Sequence, residues 1–331
     1  MLDTGLLLVA PKSLKTPWFK PSSVMESFIT QHDSLTQSEV TEIKSLIAVV
    51  AIEDGMAPLG EHVLIHLHHG GDEAAIHLLA RNERADLIGY LHLDATDSVA
   101  GPAVEVAVEP TARGRGIGTA LVKRAEALTE GQPVRLWAHG TNATAGHLAR
   151  ALGYEKVREL WQMRRSLFTP IPTATTPSNY TIRNFVIGED EQAWLQINRE
   201  VFASHPDQGS WTRADLDIRL SEAWFDVAGF FIATDADENI VGFNWTKIHG
   251  GHKHGDHQHP EIGEVYVLGI LPSAQGSGLG KALTLRGLEY LRDQGLPAVM
   301  LYVEAQNQQA IALYESTGFT HWDTDIMFRE N

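Results

Sequence analysis

"EVYVLGILPSAQGSGLGKAL" (Glu264–Leu283) runs from an apolar strand through a proline and a glycine-rich loop into a helix. Gly276, Gly278 and Gly280 remove side chains where backbone must approach something closely, and they tolerate positive φ. The unpaired N–H groups of the helix's first turn then point outward, with the positive end of the helix dipole behind them. Such a turn suits a pyrophosphate. A Walker loop would need Ser or Thr after Gly280-Lys281, and Ala282 stands there. A dinucleotide fold would need an acidic residue about 20 positions on, at the end of the next strand, and no clear candidate exists.

The chain contains the same phrase earlier, as "PAVEVAVEPTARGRGIGTAL" (Pro102–Leu121). Matching Pro110 to Pro272, an offset of 162, also pairs Arg113 with Gln275, Gly116 with Gly278 and Gly118 with Gly280. Downstream, "LWAHGTNATAGHLARALGY" (Leu136–Tyr154) matches "LYVEAQNQQAIALYESTGF" (Leu301–Phe319) at an offset of 165. Self-similarity at so long a period signals a duplicated domain, since solenoid repeats are much shorter. "TPIPTATTPSN" (Thr169–Asn179) has three prolines and no apolar periodicity, and reads as a linker. The expected division is an extension over 1–27, one domain over 28–168, the linker over 169–179 and a second domain over 180–331.

Both halves carry strands and helices in one order, which indicates an α/β or α+β layer. In the first, Thr36-x-x-Glu39 caps a helix, and a short helix at Glu61–His68 follows. Strands fall near "AIHLLA", "LIGYLHL" and "VEVAV", then a helix from Gly116, the strand "VRLWAH", a helix from Asn142 and a last strand near "VRELWQMRR". In the second, "YTIRNF" begins a strand, helices follow near Glu191–Ala203 and Trp211–Ala223, and "FFIAT", "IVGFNWTKI" and "EVYVLGI" precede the loop.

With 331 residues, 43% hydrophobic content and 21% charged content, the chain can build two cores. A net charge of −16 argues against nucleic acid as a partner, whose phosphates need clustered Lys and Arg. No stretch approaches the roughly 20 apolar residues that cross a membrane. "GLLLVA" (Gly5–Ala10) is too short for a signal sequence. A cytoplasmic monomer without membrane contact is expected. The absence of cysteine leaves no disulfide, thiolate nucleophile or cysteine metal site. "HGGHKHGDHQHP" (His249–Pro260) holds five histidines among glycines in an expected hairpin loop, which suits a polar loop beside a cleft better than chelation; no metal is expected.

"QGSGLG" and "RGRGIG" resemble the [RQ]-x-x-G-x-[GA] loop of the GNAT acyltransferases, and "NQQAIALYESTGF" resembles that family's N-x-x-A-x-x-x-Y-x-x-x-G-F segment. The resemblance implies two GNAT-like domains, each a mixed, mostly antiparallel sheet flanked by helices, and acetyl-coenzyme A as co-substrate. It implies coenzyme contacts at Leu268, Gly269, Ile270, Gln275, Gly276, Ser277, Gly278, Leu279, Gly280 and Lys281, and on the later helix at Asn307, Gln308, Gln309, Ala310, Ile311 and Ala312. First-half counterparts are Val106, Ala107, Val108, Gly114, Arg115, Gly116, Ile117, Gly118 and Thr119, so the resemblance implies room for up to two coenzymes per chain. "FASHPDQGSWT", "FNWTKIH" and "LYVEAQN" in tandem resemble the family members that acetylate the cysteinyl amine of Cys-GlcN-inositol. On that likeness the acceptor contacts are Glu61, Asp207, Lys247, Glu264 and Tyr302. Another amine acceptor, or a non-catalytic acyl-coenzyme A sensor, remains an alternative.

Amine attack on a thioester calls for a base, an oxyanion site and a proton for the leaving thiolate, and no nucleophilic side chain. The resemblance implies Glu264 as general base, directly or through water, and Tyr314 as general acid. Strand alternation places Glu264, Tyr266 and Leu268 on one face. By the repeat offsets, Glu264 corresponds to Pro102 and Tyr314 to Ala149, while Gly116, Gly118, Asn142, Ala145 and Gly153 are kept. The first domain is therefore expected to bind a coenzyme without catalysing transfer.

Overall fold

The computed structural model describes residues 28–69, 75–95, 101–140, 143–203, 208–250, 253–254, 257–258 and 261–330. Asp207 and Asn142, both singled out above, lie outside the described residues.

The first half runs β1 (Ile29–His32), α1 (Gln37–Asp54), α2 (Glu61–His69), β2 (Ala75–Arg81), β3 (Leu87–Asp94), β4 (Ala103–Val108), α3 (Ile117–Glu126), β5 (Arg135–Ala138), α4 (Ala143–Ala151) and β6 (Tyr154–Ser166). The second repeats that order with β7 (Thr181–Asn184), α5 (Glu191–Val201), α6 (Arg213–Ser221), β8 (Phe230–Thr234) and β9 (Ile240–His249). A small ribbon of β10 (Lys253–His254) and β11 (His257–Gln258) interrupts it before β12 (Ile262–Ile270), α7 (Leu279–Asp293), β13 (Ala298–Glu304), α8 (Gln308–Ser316) and β14 (Thr320–Glu330). Thr36 caps α1 as its spacing predicts: its hydroxyl accepts from the Glu39 N–H at 3.3 Å while Glu39 accepts from the Thr36 N–H at 2.8 Å.

All the main strands join one sheet in the order β1-β2-β3-β4-β5-β14-β6-β13-β12-β9-β8-β7. Among the described residues only β4–β5 and β12–β13 are parallel. The two last strands change places: β14 inserts between β5 and β6, and β6 lies against β13. Each half thus completes its sheet with the other's final strand. The linker is packed rather than free, with Ile171 and Ala174 against the second-half core and Arg165 donating to the Pro170 carbonyl at 2.7 Å.

Apolar cores lie on both faces of the sheet. In the first half, Leu78, Leu91, Ile117 and Leu121 pack on one face and Ile43, Val50, Leu79 and Tyr90 on the other. In the second half, Leu285, Leu288 and Ile311 pack beneath α7 and α8. Trp194, Phe230, Phe243 and Trp245 fill the opposite face. No helix among the described residues is long and apolar enough to cross a membrane.

Strand β12 departs from the simple alternation read from its sequence. Glu264 pairs with Lys247 and Val265 with Thr246, but the next pair is Val267 with Trp245, so Tyr266 is an extra residue. A bulge turns neighbouring side chains onto one face. Tyr266 and Val267 both join the aromatic core, whereas Leu268 packs with Val265 beneath α7. Leu268 is therefore not on the face of Glu264 and Tyr266. Strand β4 runs against β3 with no such shift. Ala103 stands opposite Arg135 as Glu264 stands opposite Met300, positions 165 apart in the repeat. The first-half equivalent of Glu264 is Ala103 rather than Pro102, because the bulge residue displaces the count by one.

Candidate functional site

The glycine loop has one geometry in both halves. Gly276 and Gly278 have φ of 74° and 89°, and Gly114 and Gly116 have 74° and 86°. The residue before each loop ties it back to its own strand: Gln275 donates to the Ile270 carbonyl at 3.2 Å, and Arg113 to the Val108 carbonyl at 3.1 Å. A Cβ on Gly276 would meet nothing within 4 Å, which leaves the backbone of the loop open to a ligand. The N–H groups at the start of α7, of which that of Leu279 meets the Ser277 hydroxyl at 3.3 Å, and the absent side chains fit a pyrophosphate.

Strands β12 and β13 pair only at Gly263–Val299 and Glu264–Met300. Beyond that they part, and a cavity of about 1700 Å³ occupies the gap and the space below it. One end is lined by Leu268, Ile270, Gln275, Gly276, Gly278, Gly280, Lys281, Asn307, Gln309, Ala310 and Tyr314. Gly269, Ser277, Leu279, Gln308, Ile311 and Ala312 of the expected set do not line it. Leu279 and Ile311 are in the core, and Ser277 bonds the Ala274 carbonyl at 2.6 Å. Nor do Val106, Ala107, Val108, Gly114, Arg115, Gly116, Ile117, Gly118 or Thr119, which surround the corresponding loop of the first half.

The other end gathers Glu61, Lys247, Glu264 and Tyr302. Lys247 is buried, bonds Glu61 across the two halves, and lies 4.5 Å from the Trp224 ring centroid. Its sequence position alone suggests an exposed strand residue; in the fold its side chain is enclosed by Glu61 and by the Trp224 and Tyr266 rings. Glu264 is 7% exposed, and its Oε2 lies 2.5 Å from His249 Nε2. Tyr314 is buried at the wall, and burial raises its pKa, so it holds its proton at neutral pH. Tyr302 also lines the cavity.

Several cavity residues escaped the sequence reading. His249, the first of the five histidines, ends β9 and holds Glu264 diagonally across the hairpin. Tyr266, the bulge residue, accepts from Arg219 at 2.9 Å. Arg158, Gln162 and Arg164 enter from β6. His139 lies between Asp325 (3.0 Å) and Glu105 (3.1 Å). Burial opposes its charge, but the two carboxylate hydrogen bonds outweigh that and hold its pKa up at about 10. Glu105 also accepts from the Gly60 N–H beside Glu61. Alternation in "VRELWQMRR" gave no hint that this strand joins the other half. No group of three or more potential metal ligands with suitable geometry occurs among the described residues.

A parted parallel pair, a bulged strand and a glycine-cradled helix define a GNAT-type N-acetyltransferase, built here in tandem. Residues 192–319 match the Acetyltransferase (GNAT) family, and residues 73–156 match an Acetyltransferase (GNAT) domain. The chain is 48% identical over 308 residues to a mycothiol acetyltransferase of Acidothermus cellulolyticus, covering 91% of this chain and 94% of that one. It is 46% identical to another from Salinispora arenicola, covering 92% and 97%. A tandem GNAT protein from the clavulanic acid biosynthesis pathway shares the fold, with a TM-score of 0.69 and 20% identity over 91% of this chain and 98% of that one. The chain belongs to the mycothiol acetyltransferase family and is an acetyl-CoA-dependent N-acetyltransferase acting in mycothiol synthesis.

Proposed function

We propose that the chain transfers acetyl from acetyl-CoA to the cysteinyl amine of Cys-GlcN-inositol, and that the second half alone does the chemistry. The observation that carries this reading is that one cavity joins the second-half glycine loop to Glu264, Tyr314 and Tyr302. A pyrophosphate on the N–H groups after Gly276 directs the acyl arm along Leu268 and Ile270 toward Glu264. Glu264 takes the proton of the attacking amine, directly or through water, with His249 fixing the carboxylate's orientation. The backbone of the parted strand edge meets the oxyanion in this reading. The amine nitrogen bonds the carbonyl carbon, the C–S bond breaks, and Tyr314 gives its proton to the departing thiolate. Glu61, Lys247 and Tyr302, with Asp207, meet the acceptor. The first-half loop holds a second coenzyme that does not react, since Ala103 and Ala149 exchange no proton.

Mass spectrometry of the product tests the acceptor. Incubation with acetyl-CoA and Cys-GlcN-inositol should add one acetyl group and leave the thiol open to a thiol reagent. A blocked thiol, or turnover confined to other amines, overturns the acceptor; binding of acetyl-CoA without any turnover favours a sensor.

A further inference from the structure

Strand exchange places first-half side chains in the wall of the second-half cavity. Gln162 on β6 stands directly opposite Tyr302 on β13 and is 3% exposed. Arg164 Nε donates to Gln162 Oε1 at 2.8 Å. A guanidinium has donors only, so the oxygen end of the amide must face Arg164 and the NH2 end must face Tyr302. Gln162 Nε2 indeed lies 2.7 Å from the Tyr302 hydroxyl oxygen. The Arg164 guanidinium is itself seated 4.6 Å from the Trp322 ring centroid, which limits its freedom to turn away.

Tyr302 therefore accepts from Gln162, and its own hydrogen cannot return along that line. The hydrogen is directed to the cavity, where 38% of the residue's surface is exposed. Burial, with Asp325 and Glu264 nearby, raises the Tyr302 pKa, so the phenol keeps this hydrogen at neutral pH.

We propose that Arg164 and Gln162 form a polarity relay that fixes Tyr302 as a hydrogen-bond donor to an oxygen of the acceptor, a hydroxyl or an amide carbonyl. Gln162 and Arg164 are positioning residues in this scheme. The relay selects acceptors that present oxygen at Tyr302 over those that present an N–H donor there. It rests on the reading above that the acceptor lies against Tyr302.

Steady-state kinetics of Gln162→Glu, Gln162→Met, Tyr302→Phe and the Gln162→Glu/Tyr302→Phe double variant test it. A carboxylate only accepts, so Gln162→Glu turns the Tyr302 hydrogen away from the cavity. The acceptor KM should rise roughly tenfold, with the KM for acetyl-CoA held within about twofold. Gln162→Met loses the relay without reversing it and should raise the acceptor KM less. A packing role predicts the opposite order, because Glu is the closer isostere of Gln. The double variant should match Tyr302→Phe alone. A larger effect from Met than from Glu, or losses that multiply in the double variant, overturns the relay while Tyr302→Phe still raises the acceptor KM. If Tyr302→Phe leaves that KM unchanged, the acceptor reading at Tyr302 falls first and the relay with it.

Discussion

The two glycine loops agree within a few degrees, yet the strands leading into them differ by one residue. In the second half Tyr266 bulges out of β12, and Glu264 sits at the point where β12 and β13 separate. In the first half β4 is regular and Ala103 holds the equivalent place. The difference continues into the face below. Trp245, opposite Val267, lies among Trp194, Phe230 and Tyr266, while the matching His92, opposite Glu105, lies beside His66 and His77. A loop that presents bare amides survives duplication unchanged because it needs only glycine and a helix. The proposed chemistry needs a particular carboxylate, a particular phenol and a strand bent to bring them together. Those are the features the first half lacks.

The sharpest way to break this comparison is to move the carboxylate. Glu264→Gln should lower kcat by roughly 10²–10⁴-fold. Adding Ala103→Glu to that variant should restore nothing, because the first half has no phenol at Ala149 and no bulge. Recovery of turnover in the double variant, measured by thiol release from acetyl-CoA, would show that the halves are catalytically equivalent.

Acid should separate the halves next. Burial, with the neighbouring histidines, lowers the pKa of His77 and His92 to about 4. The unfolded chain, with ordinary values near 6.5, then binds more protons between pH 6.5 and 4, so stability falls as pH drops through that window. The loss is at most about 3 kcal/mol per imidazole, with the opposing pull of Glu105 and Asp94 on His92 and of Asp33 and Glu39 on His77 already included. His139, held at about 10, acts in the other direction: its contribution is present below 6.5 and disappears as pH rises through 10. Hydrogen exchange at pH 5 against pH 7.5 should show β2 and β3 opening before β8 and β9. Equal loss of protection in both halves would remove the histidine face as the cause.

These contrasts were only partly legible in the sequence. The loops, their helices and the repeat announce themselves because each depends on local features, glycines at fixed spacing and apolar periodicity. The capping box at Thr36 is local in the same way. The Tyr266 bulge is not, since "EVYVLGI" alternates equally well with or without an extra residue. The exchange of β6 and β14 has no local signal at all, because either strand would pair in its own half with the same pattern. Arg158, Gln162, Arg164 and Asp325 were invisible as cavity residues for that reason. His249 was hidden inside a histidine-rich run whose composition suggests a loop, although its first member is still strand.

Matched glycine substitutions sharpen the comparison at smaller cost. Gly116→Ala and Gly278→Ala each force a Cβ into left-handed backbone at about 1–2 kcal/mol, so both should lower the melting temperature to a similar extent. Only Gly278→Ala should also reduce kcat/KM for acetyl-CoA, by roughly tenfold if one or two main-chain contacts to the phosphates are disturbed. With Gly116→Ala, turnover per folded molecule should stay within about twofold, while calorimetric stoichiometry falls from two coenzymes toward one. A matching loss of turnover would make the first-half loop part of the catalytic cycle.

The smallest effect concerns His92, whose two ring nitrogens are buried without a hydrogen-bond partner among the described residues. Burying a polar group unpaired costs about 1–3 kcal/mol, so an apolar ring of similar volume should be better tolerated there than imidazole. His92→Phe is expected to raise first-half stability by about 1 kcal/mol and to flatten the acid sensitivity of β2 and β3. The second half already carries an aromatic residue at this position, and Trp245 stacks on Phe230 with ring centroids 4.4 Å apart. His77 differs, because its Nδ1 lies 2.8 Å from the Tyr90 hydroxyl. Replacing His77 would strand that hydroxyl and should destabilise. Opposite signs at two adjacent histidines, read by thermal unfolding at pH 7, would tie the contrast between the halves to hydrogen-bond satisfaction. A destabilised His92→Phe would instead point to an unmet demand for the imidazole nitrogens.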